Sequence, residues 1–200
     1  INVVNNVIDL IDEYTRGSEN DIREAMRVKG EAYFLRGAYY FTLVNLYGKP
    51  YEASTADADL GVPLKLTGEI QDVIFQRESV AQVYKQIEAD LKIAEECLGK
   101  ANLPGTIYQA DSTAVHLLMS RFYLYKQDWE QALKYAQKVV SVRSDLLDLN
   151  GFSGGFLSKN SVETIFSMGG HAITHNTVNQ YKSFQVSREQ YNIYAEDDLR

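Results

Sequence analysis

The 200-residue chain holds one cysteine, one tryptophan and three histidines, and each scarcity closes off an explanation. Cys97 has no partner for an internal disulfide, and its place late in a helical pattern reads as a small buried hydrophobe. No run approaches the roughly 18 apolar residues of a membrane span, and the first residues form neither a basic leader nor an apolar signal core. Basic residues are outnumbered, 20 Lys and Arg against 27 Asp and Glu, for a formal charge of −7. Without a basic stripe to displace phosphate counterions, nucleic-acid binding is excluded. What the chain does have is 45% hydrophobic content with an ordinary 24% charged fraction, enough to bury a substantial core.

Periodicity makes the first two-thirds helical. Residues 1 to about 16 place Val4, Val7, Ile8, Ile11 and Tyr14 on one face, and Gly17-Ser18-Glu19-Asn20 breaks the run. Next, Ile22, Ala25, Met26, Ala32, Tyr33, Tyr40, Leu43 and Tyr47 recur at helical spacing, with Asp21 placed to cap the start and Gly48 and Pro50 to end it. Residues 48–77 form a loop far longer than the roughly 4–6 residues usual between elements, and loops of that size often carry function. A further helix opens at Ser79 with Gln82 in capping-box spacing, buries Val80, Tyr84, Ile87, Leu91, Ala94 and Leu98, and ends at Gly99.

After Pro104-Gly105, helices from about Ser112 to Lys126 and from about Trp129 to Val142 form a hairpin, with Asp128 as the second N-cap. Leu118, Phe122, Tyr123 and Tyr125 before the turn, and Trp129, Ala132, Leu133 and Ala136 after it, resemble half a tetratricopeptide repeat; the repeat's glycine before the aspartate is absent. Such a hairpin has to stack on neighbouring helix pairs. From about residue 143 glycines punctuate the chain, and one strand-like run occupies Glu163 to Met168. The expectation is a mostly α fold with a helical layer over 1–142, and a loop-rich segment with short strands over 143–200 of the same domain.

Three arrangements invite catalytic or metal readings. Gly151-Phe152-Ser153-Gly154-Gly155 satisfies the nucleophile-elbow pattern, but no buried strand precedes it and no helix follows, so a glycine-rich loop is expected. His171 and His175 have metal-ligand spacing for a helix, yet follow Gly169-Gly170 with no helical period and no third ligand nearby. Asp57/Asp59 and Asp197/Asp198 read as turn formers or solvated charges rather than a glycosidase pair or a calcium site. No catalytic residue, metal or cofactor is expected.

Tyrosine, with 14 copies, is the real excess, and a phenol ring can stack on a sugar face while its hydroxyl hydrogen-bonds. Tyr33, Tyr40, Tyr47, Tyr84, Tyr123 and Tyr135 fall on helices and are expected to pack between them, with Trp129 locking the hairpin and Arg36 acting as a buried strut. Tyr51 and Tyr108 fall in loops and are the candidate ligand contacts.

One stretch is unusual enough to place. Glu31-Ala32-x-Phe34-Leu35-Arg36-Gly37-Ala38-Tyr39-Tyr40-Phe41 followed by Leu46-Tyr47-Gly48-x-Pro50 resembles the SusD/RagB family. Further landmarks keep the family's order: Ile1 to Ile8, Asp59-x-Gly61-Val62-Pro63-Leu64, Arg77 to Val80 with Ile87 to Ala94, Glu163 to Phe166, and Tyr194 with Asp197 to Arg200. The resemblance implies a SusD-like helical fold and a non-catalytic surface protein that captures oligosaccharide or polysaccharide, sometimes peptide. Its partner would be a SusC-like TonB-dependent transporter of the outer membrane. It also implies a cell-surface lipoprotein in the full-length protein. Family members are more than twice this long, so a partial chain is expected, without the lipid-bearing cysteine, for which Cys97 cannot serve. The competing expectations are a tetratricopeptide-type protein-interaction scaffold, which should repeat at a period of about 34 residues, and a hydrolase built on Ser153.

Overall fold

The computed structural model describes residues 1–152 and 160–168. Two compact units divide the chain, residues 1–144 and residues 145–200. The first contains α1 (Asn2–Leu10), a 3-10 turn (Ile11–Tyr14), α2 (Glu19–Tyr47), α3 (Val80–Ala101), α4 (Ser112–Tyr125) and α5 (Trp129–Val140). The mostly α expectation holds.

Capping chemistry sets the ends of these helices. Ser18, not Asp21, is the N-cap of α2: its hydroxyl accepts from the Asp21 N–H, while the Asp21 carboxylate accepts from the Ser18 N–H at 3.0 Å. Asp21 is the third residue of a reciprocal capping box. Ser79, Asp111 and Asp128 cap α3, α4 and α5 by accepting from the N–H groups of Gln82, Ala114 and Gln131. The third helix runs through Gly99 to Ala101, because that glycine faces open space in ordinary helical geometry. Asn102, at φ 45°, makes the left-handed stop instead.

The long helix α2 lies against α3 through a face that apolar periodicity only partly finds. Ala25, Ala32 and Tyr40 are buried as expected, but so are Gly30, Phe34, Arg36, Gly37, Phe41 and Val44, while Ile22 and Tyr47 are exposed. The two glycines are contact points. A Cβ at Gly30 would stand 2.6 Å from Leu98 Cγ, and one at Gly37 would stand 3.1 Å from Leu91 Cδ2. Close approach of the backbones turns the face toward these side-chain-free positions, which a count of hydrophobic residues passes over. On α3, by contrast, the whole expected stripe is buried, and Cys97 with it.

In the α4–α5 hairpin Trp129 does not lock the turn; it is 63% exposed, and Leu133 beside it is also exposed. The two helices are joined by the Ser120 hydroxyl donating to Ala132 O at 3.0 Å and by Tyr123 stacked on Tyr135, rings 5.5 Å apart and 11° from parallel. Between α2 and α3 the long loop is irregular but tied down. Gly61 N–H donates to Glu78 O, Glu78 N–H to Val62 O, and Arg77 donates to the carbonyls of Gly61, Leu60 and Tyr47.

In the second unit the described residues contain no strand. The run expected over Glu163 to Met168 starts in a turn, with Thr164 N–H donating to Ser161 O, and the Glu163 carboxylate accepts from Leu147 N–H.

Candidate functional site

A polar network is set into the otherwise apolar core of the first unit. Arg36, 5% exposed, and Asp90, fully buried, form a two-pronged pair, Nε to Oδ2 at 2.9 Å and Nη2 to Oδ1 at 2.8 Å. The remaining guanidinium nitrogen donates to Asn5 Oδ1 and Leu66 O, and Asn5 in turn donates to the carbonyls of Lys65 and Thr67. The Tyr40 hydroxyl donates to Lys65 O and accepts from Lys65 N–H, and burial pushes that phenol up. Arg36 is therefore the expected strut. Its network anchors residues 65–67 of the long loop onto α1, α2 and α3, and no ligand group is needed to satisfy it.

A second polar seam joins α3 to the hairpin. Glu88 and Glu95, one heptad apart on α3, each meet a lysine and the tyrosine three residues before it. Glu88 accepts from Lys126 at 2.7 Å and from the Tyr123 hydroxyl at 3.1 Å. Glu95 accepts from Lys138 at 2.6 Å and the Tyr135 hydroxyl at 3.3 Å, with His116 Nε2 at 2.9 Å. Lys92 adds a third partner to Glu88. Burial pushes both carboxyls up, but Lys126 and Lys92 for Glu88, and Lys138 and His116 for Glu95, more than offset it and leave both below the ordinary value. Burial, with Glu95 next to it, pushes the Tyr135 phenol up to about 12.

A depressed folded-state carboxyl stabilises the fold at pH above its unfolded value, roughly 4.3 for glutamate, and that contribution is lost as pH falls through the lower folded value. Lys138→Met should therefore lower the urea midpoint at pH 7, and its difference from the parent should shrink as the pH is taken below 4. A difference independent of pH would mean the Glu95–Lys138 pair contributes nothing through charge.

Tyr51 and Tyr108 lie near opposite ends of α4. Tyr51 follows α2, and its carbonyl accepts from the Gln127 side chain just beyond the C-terminus of α4. Tyr108 sits three residues before Asp111, the N-cap, and is 55% exposed. Fourteen helical residues rise roughly 21 Å, so the two do not share one site. The loop carrying Tyr108 also lines a polar cavity of about 170 Å³ with Arg27, Asn102, Asp111, Ser112 and Thr113 around it.

Tyr51 is half-buried and leans on Tyr84, ring centres 4.7 Å apart. Tyr84 belongs to a bed of buried rings, with Phe122 at 5.4 Å and Phe41 at 6.4 Å, and Phe41 in turn carries Tyr125 at 5.2 Å. Tyr125, near the end of α4, is 49% exposed. Burial pushes the Tyr84 phenol up to about 12, and its hydroxyl meets Asn45 Oδ1. Two partly open tyrosines thus stand on one rigid aromatic bed. The missing repeat glycine is the only signal in the sequence for this arrangement, since Gln127 fills its place at φ 63°.

Of the other candidates, Asp59 is engaged by Lys49 and by the Thr55 hydroxyl, whose hydrogen bonds hold its carboxyl below the ordinary value. Among the described residues no group of three His, Cys, Asp or Glu side chains could hold a metal ion. Ser153, His171, His175, Asp197 and Asp198 lie outside the described residues.

Helices α2 to α5 form an α-helical scaffold that holds a long loop on a buried polar network and two half-open tyrosines on a bed of buried rings. A family model described as "Starch-binding associating with outer membrane" matches residues 1–124, and the chain belongs to this SusD-like family. A SusD superfamily protein from Bacteroides thetaiotaomicron is 29% identical, with a TM-score of 0.65 over 74% of this chain and 32% of its own. A SusD-like carbohydrate binding protein from Bacteroides vulgatus is 27% identical, with a TM-score of 0.69 over 88% of this chain and 35% of its own. A SusD superfamily protein from Bacteroides fragilis is 27% identical, with a TM-score of 0.65 over 86% of this chain and 38% of its own. The chain thus spans about a third of the length of these solved relatives. None of the curated proteins compared with it matches.

Proposed function

We propose that this chain belongs to a non-catalytic capture protein of the outer-membrane surface, held there as a lipoprotein in its full-length form. It binds oligosaccharide, or alternatively peptide, and delivers it to a SusC-like TonB-dependent transporter. The observation that carries this reading is the family match over residues 1–124, supported by the fold shared with a SusD-like carbohydrate binding protein. Tyr51 and Tyr108 are the proposed ligand contacts, because both sit in loops with ring surface open to solvent.

Affinity electrophoresis through gels carrying a panel of soluble polysaccharides tests it, with Tyr51→Ala and Tyr108→Ala run beside the parent. Retardation on at least one polysaccharide, weakened by either change, is the expected result. No retardation on any of them would overturn glycan capture by these 200 residues. A scaffold reading has one observation in its favour: Trp129, Leu133 and Val140 are exposed along α5, a stripe on which a helical repeat could stack its neighbour.

A further inference from the structure

The α4–α5 turn carries a strained residue with a job. Gln127 has φ 63°, a left-handed conformation that costs a side-chain-bearing residue roughly 1–2 kcal/mol and that glycine would adopt freely. Backbone strain of this kind persists where the surrounding structure holds it, and it clusters at ligand-binding positions. Here the strained residue sends its side-chain amide to the Tyr51 carbonyl at 3.2 Å, tying the long loop to the hairpin turn. The tie joins the loop carrying Tyr51 to the turn that follows Tyr125. A glycine would relieve the strain and lose the tie.

From these observations, and resting on the capture reading above, we infer that Tyr51 and Tyr125, fixed over Tyr84, Phe41 and Phe122 and tied by Gln127, form a stacking subsite for a neutral glycan. Both rings are immobilised from behind by buried aromatics, so stacking a sugar on their open faces orders little that is not already ordered. The local charges explain the choice of a neutral ligand. Lys126 is engaged by Glu88, Lys49 by Asp59, and Arg77 by three backbone carbonyls. The exposed charges near the two rings are mixed in sign, with Glu52 beside Tyr51 against Arg121 one turn before Tyr125 and Lys85 next to Tyr84. No field of one sign is left to attract a uronate or a sulfate ester.

The test compares the parent chain with Tyr125→Ala, Tyr125→Phe and Gln127→Gly on neutral and anionic polysaccharides, at low and at high salt. The parent should bind a neutral polysaccharide with little dependence on salt. Tyr125→Ala should weaken that binding by about tenfold, and Tyr125→Phe, which keeps the ring, by much less. Gln127→Gly should weaken binding while leaving the chain as stable as the parent or more so. Circular dichroism confirms that each variant is folded, as expected at half-exposed positions. Neutral binding unchanged by Tyr125→Ala would overturn the subsite and leave glycan capture standing. Binding confined to anionic polysaccharides and lost at high salt would overturn the neutral class. Binding to neither kind would overturn glycan capture by these 200 residues.

Discussion

Asp90→Ala should lower the stability of this chain by about 3–5 kcal/mol, read as a fall in the urea midpoint followed by circular dichroism. The magnitude follows from what the change leaves behind. Arg36 is 5% exposed, and its two bonds to the Asp90 carboxylate are replaced by nothing that carries charge. A guanidinium keeps its proton under all ordinary conditions, so it cannot escape by neutralising itself as a buried lysine would. Gln86, which donates to the same carboxylate at 2.8 Å, loses its acceptor as well.

The damage should spread along the chain, because Arg36 also holds Leu66 O, and Asn5, its other partner, holds the carbonyls of Lys65 and Thr67. Faster amide hydrogen exchange over residues 60–70 is expected in the variant before global unfolding. A double change, Arg36→Met with Asp90→Leu, should recover much of the loss, since replacing both members of a buried pair by apolar residues removes the stranded charge. A loss below about 1 kcal/mol for Asp90→Ala would mean that water reaches the pair and that it behaves as a surface ion pair.

Much of this arrangement is legible in the amino-acid sequence, and the exceptions have physical causes. Ser79, Asp128 and the stripe of α3 follow from rules that act within one turn of chain, and the structure places all of them as expected. Arg36 is legible as a strut because an arginine in an apolar helical run has to find an acceptor. Its acceptor, Asp90, lies 54 residues away and has no local signature. Gly30 and Gly37 escape an apolar pattern because they pack by lacking a side chain. Trp129 has the size and apolar surface of a core residue, yet only one flank of α5 meets a described neighbour, and the ring lies on the other side of that boundary. Tyr51 can be placed in a loop from turn residues alone. That it leans on Tyr84 and is tied to Gln127 depends on contacts across 33 and 76 residues of chain, which no window of sequence reports.

Phe122→Ala should cost about 3–5 kcal/mol, the range for deleting a fully buried aromatic ring, and should damage the proposed ligand surface at the same time. Phe122 has no exposed surface and touches three other rings, Tyr84 at 5.4 Å, Phe41 at 6.2 Å and Tyr123 at 5.1 Å. Two of these carry the outer tyrosines, since Tyr84 supports Tyr51 and Phe41 supports Tyr125. The third, Tyr123, belongs to the seam that fastens the hairpin to Glu88. One ring therefore joins the packing of the hairpin to the shape of the surface.

Because a loss of that size can unfold the alanine variant outright, Phe122→Leu separates the two effects: it keeps an apolar side chain in the site, should cost about 1–2 kcal/mol, and leaves a folded chain whose rings have lost their edge contacts. In that variant, glycan retardation should weaken even though neither Tyr51 nor Tyr125 has been changed. A Phe122→Leu chain that is measurably less stable yet binds with the parent's affinity would show that the aromatic bed holds the hairpin and has no part in holding a sugar.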